Sequence, residues 1–430
     1  MADAASQALS NQTQGYSDDG PLRAADGTLL KDKLHQTMRR KRMISLGLVL
    51  PLFAFVFVTF IFPIGLMLYR SVDNPILAEN LPKTMMVLEQ WDGQGLPSEE
   101  AFAVLAEELV IAKKTRMIGQ IATRMNFEMS GIRSVFTKTA RKAKKMKAPY
   151  KDAFIAINEK WGERETWVTL KRIGQSITST QYLAAVDMRY DVDNNMVAQE
   201  EERQIYVQIF VRTLWISFLI AGICLVLGYP IAFLLATLPL KTSNLLMILV
   251  LLPFWTSLLV RTTSWIVLLQ TNGVLNDIMV WLGIIGDDGR VQMIYNQTGT
   301  IVAMTHILLP FMVLPLFSVM KTIPPSYVRA ARSLGANPFT AFVRVYVPQT
   351  VAGMGAGSLL VFILSIGYYI TPALVGGRSG QLISNFIAFH MQKSLNWGLA
   401  AAMGSLLLFS VLLLYWLYTK IVGVDNMKLG

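Results

Sequence analysis

Cysteine, histidine and charge are all scarce in this sequence. Cys224 is the only cysteine among 430 residues, so neither a disulfide within the chain nor a cysteine-based metal site can form. The three histidines, His35, His306 and His390, are too scattered to suggest a metal cluster. No Gly-x-x-x-x-Gly-Lys-Ser/Thr phosphate loop occurs, so the chain is not expected to bind and hydrolyse ATP itself. Nothing matches a nucleophile elbow or a zinc-protease helix. Charged residues make up 16% of the chain and hydrophobic ones 53%, a balance that argues against a soluble globular protein.

What the chain has instead is long apolar runs. Six of them, near Ile44–Leu68, Phe210–Leu238, Leu245–Leu269, Thr300–Met320, Val351–Val375 and Leu399–Val422, reach the roughly 20 residues that a bilayer crossing needs. None contains aspartate or glutamate. Carriers coupled to protons or sodium keep such groups at the midplane, where they are costly and retained for function. Their absence disfavours a secondary carrier and fits a pathway driven by an external motor. Proline interrupts several runs, at Pro63, Pro230, Pro253, Pro310, Pro315 and Pro372; neighbouring helices can satisfy the carbonyls it frees.

The expected fold is all-α: a polytopic membrane protein with six transmembrane helices and a helical insert between the first and second. A largely polar stretch of 43 residues precedes the first run and no small-residue cleavage site follows it, so it reads as a retained anchor. Arg39-Arg40-Lys41-Arg42 at its start sets the orientation. Both termini are then cytoplasmic, together with the Lys241 loop, the segment Tyr327–Val347 and the tail holding Lys420 and Lys428. This bias accounts for much of the net charge of +11, and no basic stripe interleaved with aromatics suggests nucleic acid as a partner.

Residues 1–43 read as a disordered tail ending in a short helix over Leu29–Arg42, and 44–69 as the first transmembrane helix. Residues 70–208 read as an extracytoplasmic helical insert. In it Ser98-Glu99-Glu100 caps a helix bearing Phe102, Leu105 and Leu109. Helical periodicity continues over Ile118–Lys147, from Pro149 through Phe154, Ile157 and Trp161, and from Arg164 to Val186. The basic run Arg141–Lys147 reads as a solvated helix face. Asp191, Asp193, Asn195 and Glu202 stand at calcium-loop positions, but Met196 occupies the place of the required glycine, so an acidic solvated lead into the second span is the better reading. Residues 209–430 form the five-helix core. Its outer loops hold an amphipathic helix (Val274, Leu275, Ile278, Met279, Trp281, Leu282) suited to the membrane surface, and the segment Gly376–Trp397.

The most informative stretch, residues 325–348, lies between two apolar runs and has the chemistry of two helices with a hard corner. Ser326 can cap a helix whose apolar side carries Tyr327, Ala330, Ala331 and Leu334. Gly335 supplies a left-handed stop. Asn337 caps a second helix with Pro338 at its first position and an apolar face of Phe339, Phe342, Val343 and Tyr346, which Val347-Pro348 ends. Exposed small and aromatic residues on such a hairpin suit a partner's grip.

These residues resemble the EAA-loop signature of the integral-membrane subunits of bacterial ABC importers. Ala330, Ala331, Gly335 and Pro348 match the pattern residue for residue, Val345 and Val347 stand for its aliphatic positions, and Arg329 occupies the glutamate position. The resemblance implies that the hairpin is the coupling helix docking on a cytosolic ABC ATPase dimer, which would carry the ATP and magnesium. It also implies a second permease subunit, homologous or identical, and an extracytoplasmic solute-binding protein.

Further stretches, Leu258–Trp265, Asn272–Asn276, His306–Phe311 and Tyr369–Gly377, look like the permeases of spermidine/putrescine importers, a likeness running from Val207 onward plus the first span. The insert departs from that pattern. Arg261 is the one charge well inside an apolar run and reads as a structural or gating residue. Trp255, Trp265, Tyr368 and Tyr369 offer aromatic faces to an ammonium, or serve as interfacial anchors. The likeness implies a polyamine such as spermidine or putrescine as solute. The alternatives are an importer permease for another small polar solute (amino acid, sugar or anion) and a membrane-anchored receptor or assembly protein, which would have no use for a coupling hairpin.

Overall fold

The structure, a computed structural model, describes residues 30–422. The expected disordered tail over residues 1–29, Lys428 and the side chain of His35 lie outside the described residues. The chain divides into two units at Leu66/Met67.

In the first unit a single helix, Leu30–Val56, enters the first span without the expected break at its basic end. A π turn over Phe57–Ile61 follows, then a helix over Phe62–Arg70 within which the boundary of the unit falls. The wide turn sits just ahead of Pro63, whose missing N–H and bulky ring it accommodates.

In the second unit the helices of the insert build a core of their own, from Leu77 to Ile173. Phe102, Leu105 and Leu109 on the helix Glu99–Lys114 are fully buried, as are Phe136, Phe154, Trp161 and Trp167. The rings meet edge-on or tilted, Phe102 against Trp167 at 4.4 Å and Phe154 against Trp161 at 5.0 Å between centroids. Both indoles are satisfied: Trp161 Nε1 donates to Thr139 Oγ1 (2.8 Å) and Trp167 Nε1 to the Trp161 carbonyl (2.9 Å). Ser98 holds the N-cap position of its helix but makes no side-chain bond there. Glu99 reaches instead to the backbone N–H groups of Tyr150 and Lys151, tying two helices together.

The fold is predominantly α-helical, as expected, with one short ribbon added to it. Met188–Tyr190 and Met196–Ala198 pair as a two-stranded antiparallel ribbon. The suspected calcium loop is its turn. Asp191 Oδ1 accepts from the N–H groups of Asp193 and Asn195, both at 2.8 Å, and the Asn195 N–H foremost holds this carboxyl below its ordinary range. No group of three or more histidine, cysteine or acidic side chains suited to a metal occurs among the described residues.

The insert is fastened to the spans of the same unit. Asp187 accepts from the first N–H groups of the second span, at Ile205, Tyr206 and Val207 (2.8–3.1 Å), capping its positive end. Tyr182 Oη bridges Ser71 (2.8 Å) and Ser405 (2.9 Å). Arg124, buried, bonds Asn74 (2.7 Å), Glu128 (2.8 Å) and Thr180 (3.2 Å). His390 lies where Tyr206 Oη and Ser394 Oγ meet it at 2.9 and 2.8 Å, and burial pushes its pKa down to about 4, so the ring is neutral at pH 7.

Among the described residues four helices are long and apolar enough to cross a membrane, and two bent pairs bring the total to as many as six if each pair is one span. The unbroken ones in this unit are Tyr206–Thr237, Gln297–Thr322 and Trp397–Val422. Close packing of Gln297–Thr322 with Val351–Gly367 depends on glycine: a Cβ at Gly357 would stand 2.7 Å from Met312 Sδ.

The third and fifth runs are not the continuous spans expected. The third breaks between the helices Leu240–Trp255 and Leu258–Leu269, and the stretch Leu258–Trp281 lies bent by 96° from the helix before the break. Pro253 weakens the ladder there, and Thr256 folds back with its N–H and Oγ1 on the Pro253 carbonyl. The fifth stops at Gly367 and restarts as Ile370–Val375. Pro372 cannot donate to the carbonyl four residues before it, at Tyr368, so the helix parts at Tyr368-Tyr369.

Candidate functional site

The hairpin has the corner its residues encode. Its first helix runs Ser326–Ser333. Gly335 adopts φ +92°, its N–H donates to the Arg332 carbonyl (3.0 Å), and the Ala336 N–H donates to Ala331 (3.1 Å). That pair of bonds is a Schellman stop, which requires the left-handed residue at Gly335. Asn337 Oδ1 then accepts from the Thr340 N–H at 2.7 Å, with Pro338 opening the next helix.

Three details differ from expectation. Pro325, not Ser326, holds the cap position of the first helix, and Ser326 is its first residue. The second helix does not stop at Val347-Pro348: a π turn over Phe342–Tyr346 absorbs Pro348, and helix continues over Val347–Gln349 before a 60° bend into Val351–Gly367. The wide turn also splits the expected apolar face. Phe342 and Tyr346 point inward onto Phe233, at 5.4 and 5.3 Å between centroids, whereas Phe339 is 75% and Val343 43% exposed. On the first helix Val328 packs against the core, while Tyr327 (51%) and Leu334 (90%) stand out. Arg329, Ala330, Asn337, Pro338 and Pro348 are exposed and Ala331 is half-buried. Several large apolar side chains therefore flank a rigid corner with nothing covering them.

The residues considered for a solute pathway divide. Arg261 and Trp265 lie one turn apart on the helix Leu258–Leu269 and so share a face. Trp265 Nε1 donates to His306 Nδ1 at 3.2 Å, which places the proton of that ring on Nε2. Arg261 Nε is buried without a partner. Tyr368 and Tyr369 stand at the break in the fifth span. Trp255 ends the helix before the other break and is 77% exposed.

Four residues missed by sequence reasoning tie the breaks together. Thr262 Oγ1 lies 3.3 Å from Thr371 Oγ1, so the segments after the two breaks touch. Ser384 Oγ donates to the Tyr368 carbonyl (2.6 Å), the one Pro372 frees, and Asn385 Nδ2 donates to the Tyr369 carbonyl (2.7 Å). Asn385 Oδ1 also accepts from the Leu382 N–H at 2.9 Å, starting the helix Ile383–Gln392. A polar pair opening a loop helix was visible in the sequence; its partners across the fold were not.

Comparison with known proteins agrees with this architecture. The family described as "Binding-protein-dependent transport system inner membrane component" matches residues 225–422. The spermidine/putrescine transport system permease protein PotB of Escherichia coli K12 is 33% identical over 254 residues, covering 58% of this chain and 90% of PotB. PotB of Haemophilus influenzae is 34% identical over 52% of this chain and 78% of its own length. The inner membrane ABC transporter permease protein YdcU of E. coli K12 is 30% identical over 50% and 71%. The chain thus belongs to the family of inner-membrane permease subunits of binding-protein-dependent ABC importers, and it is a transport subunit rather than an enzyme.

Proposed function

We propose that this permease moves a polyamine, spermidine or putrescine, handed over by an extracytoplasmic solute-binding protein and driven by a cytosolic ATPase dimer that holds the ATP and magnesium. The observation that carries the coupling half of this reading is the hairpin. A corner fixed by Gly335 and Asn337, with Leu334 and Phe339 uncovered, has the form of an element seated in a groove. A second permease subunit, homologous or identical, completes the cavity. Closure of the ATPases moves the hairpins and alternates access between the two sides.

The relatives named for spermidine and putrescine support the solute. Trp265, Tyr368 and Tyr369, near the two helix breaks, supply aromatic faces worth roughly 0.5–2 kcal/mol each to an ammonium. Binding of that strength lets the solute leave again. Arg261, with its unpartnered Nε, acts as a structural or gating charge, and Trp255 as an interfacial anchor. The same Arg261, with no acid in the six apolar runs, favours a second reading, an anionic or neutral polar solute.

Reconstitution of the permease pair, ATPases and binding protein in proteoliposomes separates the two. ATP-dependent uptake of labelled spermidine or putrescine is the expected result. Uptake of a sugar, amino acid or anion with no response to polyamine overturns the solute while leaving the importer intact.

Orientation has its own test. With residues 70–208 outside and residues 325–348 inside, a cysteine at Ser134 in a Cys224-free chain reacts with impermeant reagent in intact cells. One at Ser333 reacts only after the cytoplasm is opened. The reverse labelling contradicts the proposed topology.

A further inference from the structure

From Ile323 to Thr350 the hairpin segment holds three arginines and no aspartate or glutamate. Arg329, Arg332 and Arg344 are exposed, and none joins an ion pair among the described residues. Lys321, just before them, is already engaged on the Ala236 carbonyl. Arg329 and Arg332 stand three residues apart on one short helix, where like charges repel. Between them and Arg344 project Leu334 and Phe339, 90% and 75% exposed. An uncovered apolar centre with a wholly cationic rim has a definite complement: a groove with apolar pockets edged by carboxylates.

We infer that the hairpin is held electrostatically, by carboxylates lining the ATPase groove, with Arg329 facing one of them. This rests on the reading of the hairpin as the ATPase contact. Anionic lipid headgroups would attract the same arginines. A headgroup surface has no need of a fixed shape, however, and the Schellman stop at Gly335 with the Asn337 cap spends its hydrogen bonds on shape. Arginine at three positions suits paired hydrogen bonds to carboxylates, as it does to phosphates, so the fixed shape is what favours a protein groove.

The experiment measures association of the purified permease with its ATPase in detergent, across a salt series from about 50 to about 500 mM, where the screening length falls severalfold. Wild type is expected to weaken steadily with salt. Arg329→Glu and Arg332→Glu should each weaken association by roughly tenfold or more at low salt, with Arg→Lys variants losing less. They should also flatten the salt response. Leu334→Asp with Phe339→Asp is the control for the underlying reading. If that pair weakens association while charge reversal and salt do not, the electrostatic inference is overturned and the hairpin contact stands. If the pair has no effect, the hairpin is not the contact and both fall. If charge reversal leaves ATPase association intact but abolishes binding to anionic vesicles, the partner is the membrane and the inference is overturned.

Discussion

Gly335→Val is expected to leave the protein inserted in the membrane and to uncouple ATP hydrolysis from uptake. At φ +92° the backbone of residue 335 occupies a region that a side-chain-bearing residue enters at a cost of about 1–2 kcal/mol, a β-branched one at the upper end. A Cβ there meets nothing within 4 Å, so the penalty is conformational rather than a clash. The corner therefore relaxes instead of the fold collapsing, and the two short helices lose their fixed angle. Uptake should fall by roughly tenfold or more, the factor that about 1.4 kcal/mol of lost docking carries. Solute-stimulated hydrolysis should be lost with it. Gly335→Asn, which tolerates the left-handed region, should retain more of both. Normal coupling in the valine variant would show that the corner does not matter.

The second large effect is expected from Asn385→Leu. Similar in size, leucine can neither donate to the Tyr369 carbonyl nor accept from the Leu382 N–H, and the site is buried. Each abandoned group costs about 1–3 kcal/mol. The break in the fifth span loses one of its two supports, the other being Ser384 on the Tyr368 carbonyl. Thermal melting in detergent should drop by several degrees and uptake should fall, with expression retained. Asn385→Asp keeps the acceptor toward Leu382 but sets a carboxylate oxygen against the Tyr369 carbonyl, so it should restore neither property. An unchanged melting point in the leucine variant contradicts the assigned role.

Local chemistry made part of this legible in the sequence. The turn at Gly335 and the cap at Asn337 depend on residues within a few positions of each other, and both occur as read. Buried Phe102, Leu105 and Leu109 follow from helical spacing alone. The two breaks escaped because proline only permits them. Whether a helix parts at Tyr368 depends on Ser384 accepting the task of satisfying its carbonyl, which is sixteen residues distant and has no periodic signature. The division of Phe339 from Phe342 escaped because a π turn shifts the register within the very helix whose face was being counted. At Asp191 the spacing of oxygen-bearing residues showed an acidic, solvated lead but not the hairpin turn, in which its carboxylate accepts from the Asp193 and Asn195 N–H groups.

The central claim is that the hairpin is the mechanical contact between this chain and an ATPase. A photo-crosslinking residue at Phe339, 75% exposed beside the corner, tests it most directly in the assembled transporter. The account predicts a crosslink to the ATPase whose yield changes when ATP is supplied, while the same probe at Trp215, 62% exposed on the second span, labels no ATPase. A Phe339 probe that reaches only lipid, or an ATPase crosslinked equally well from Trp215, would contradict it.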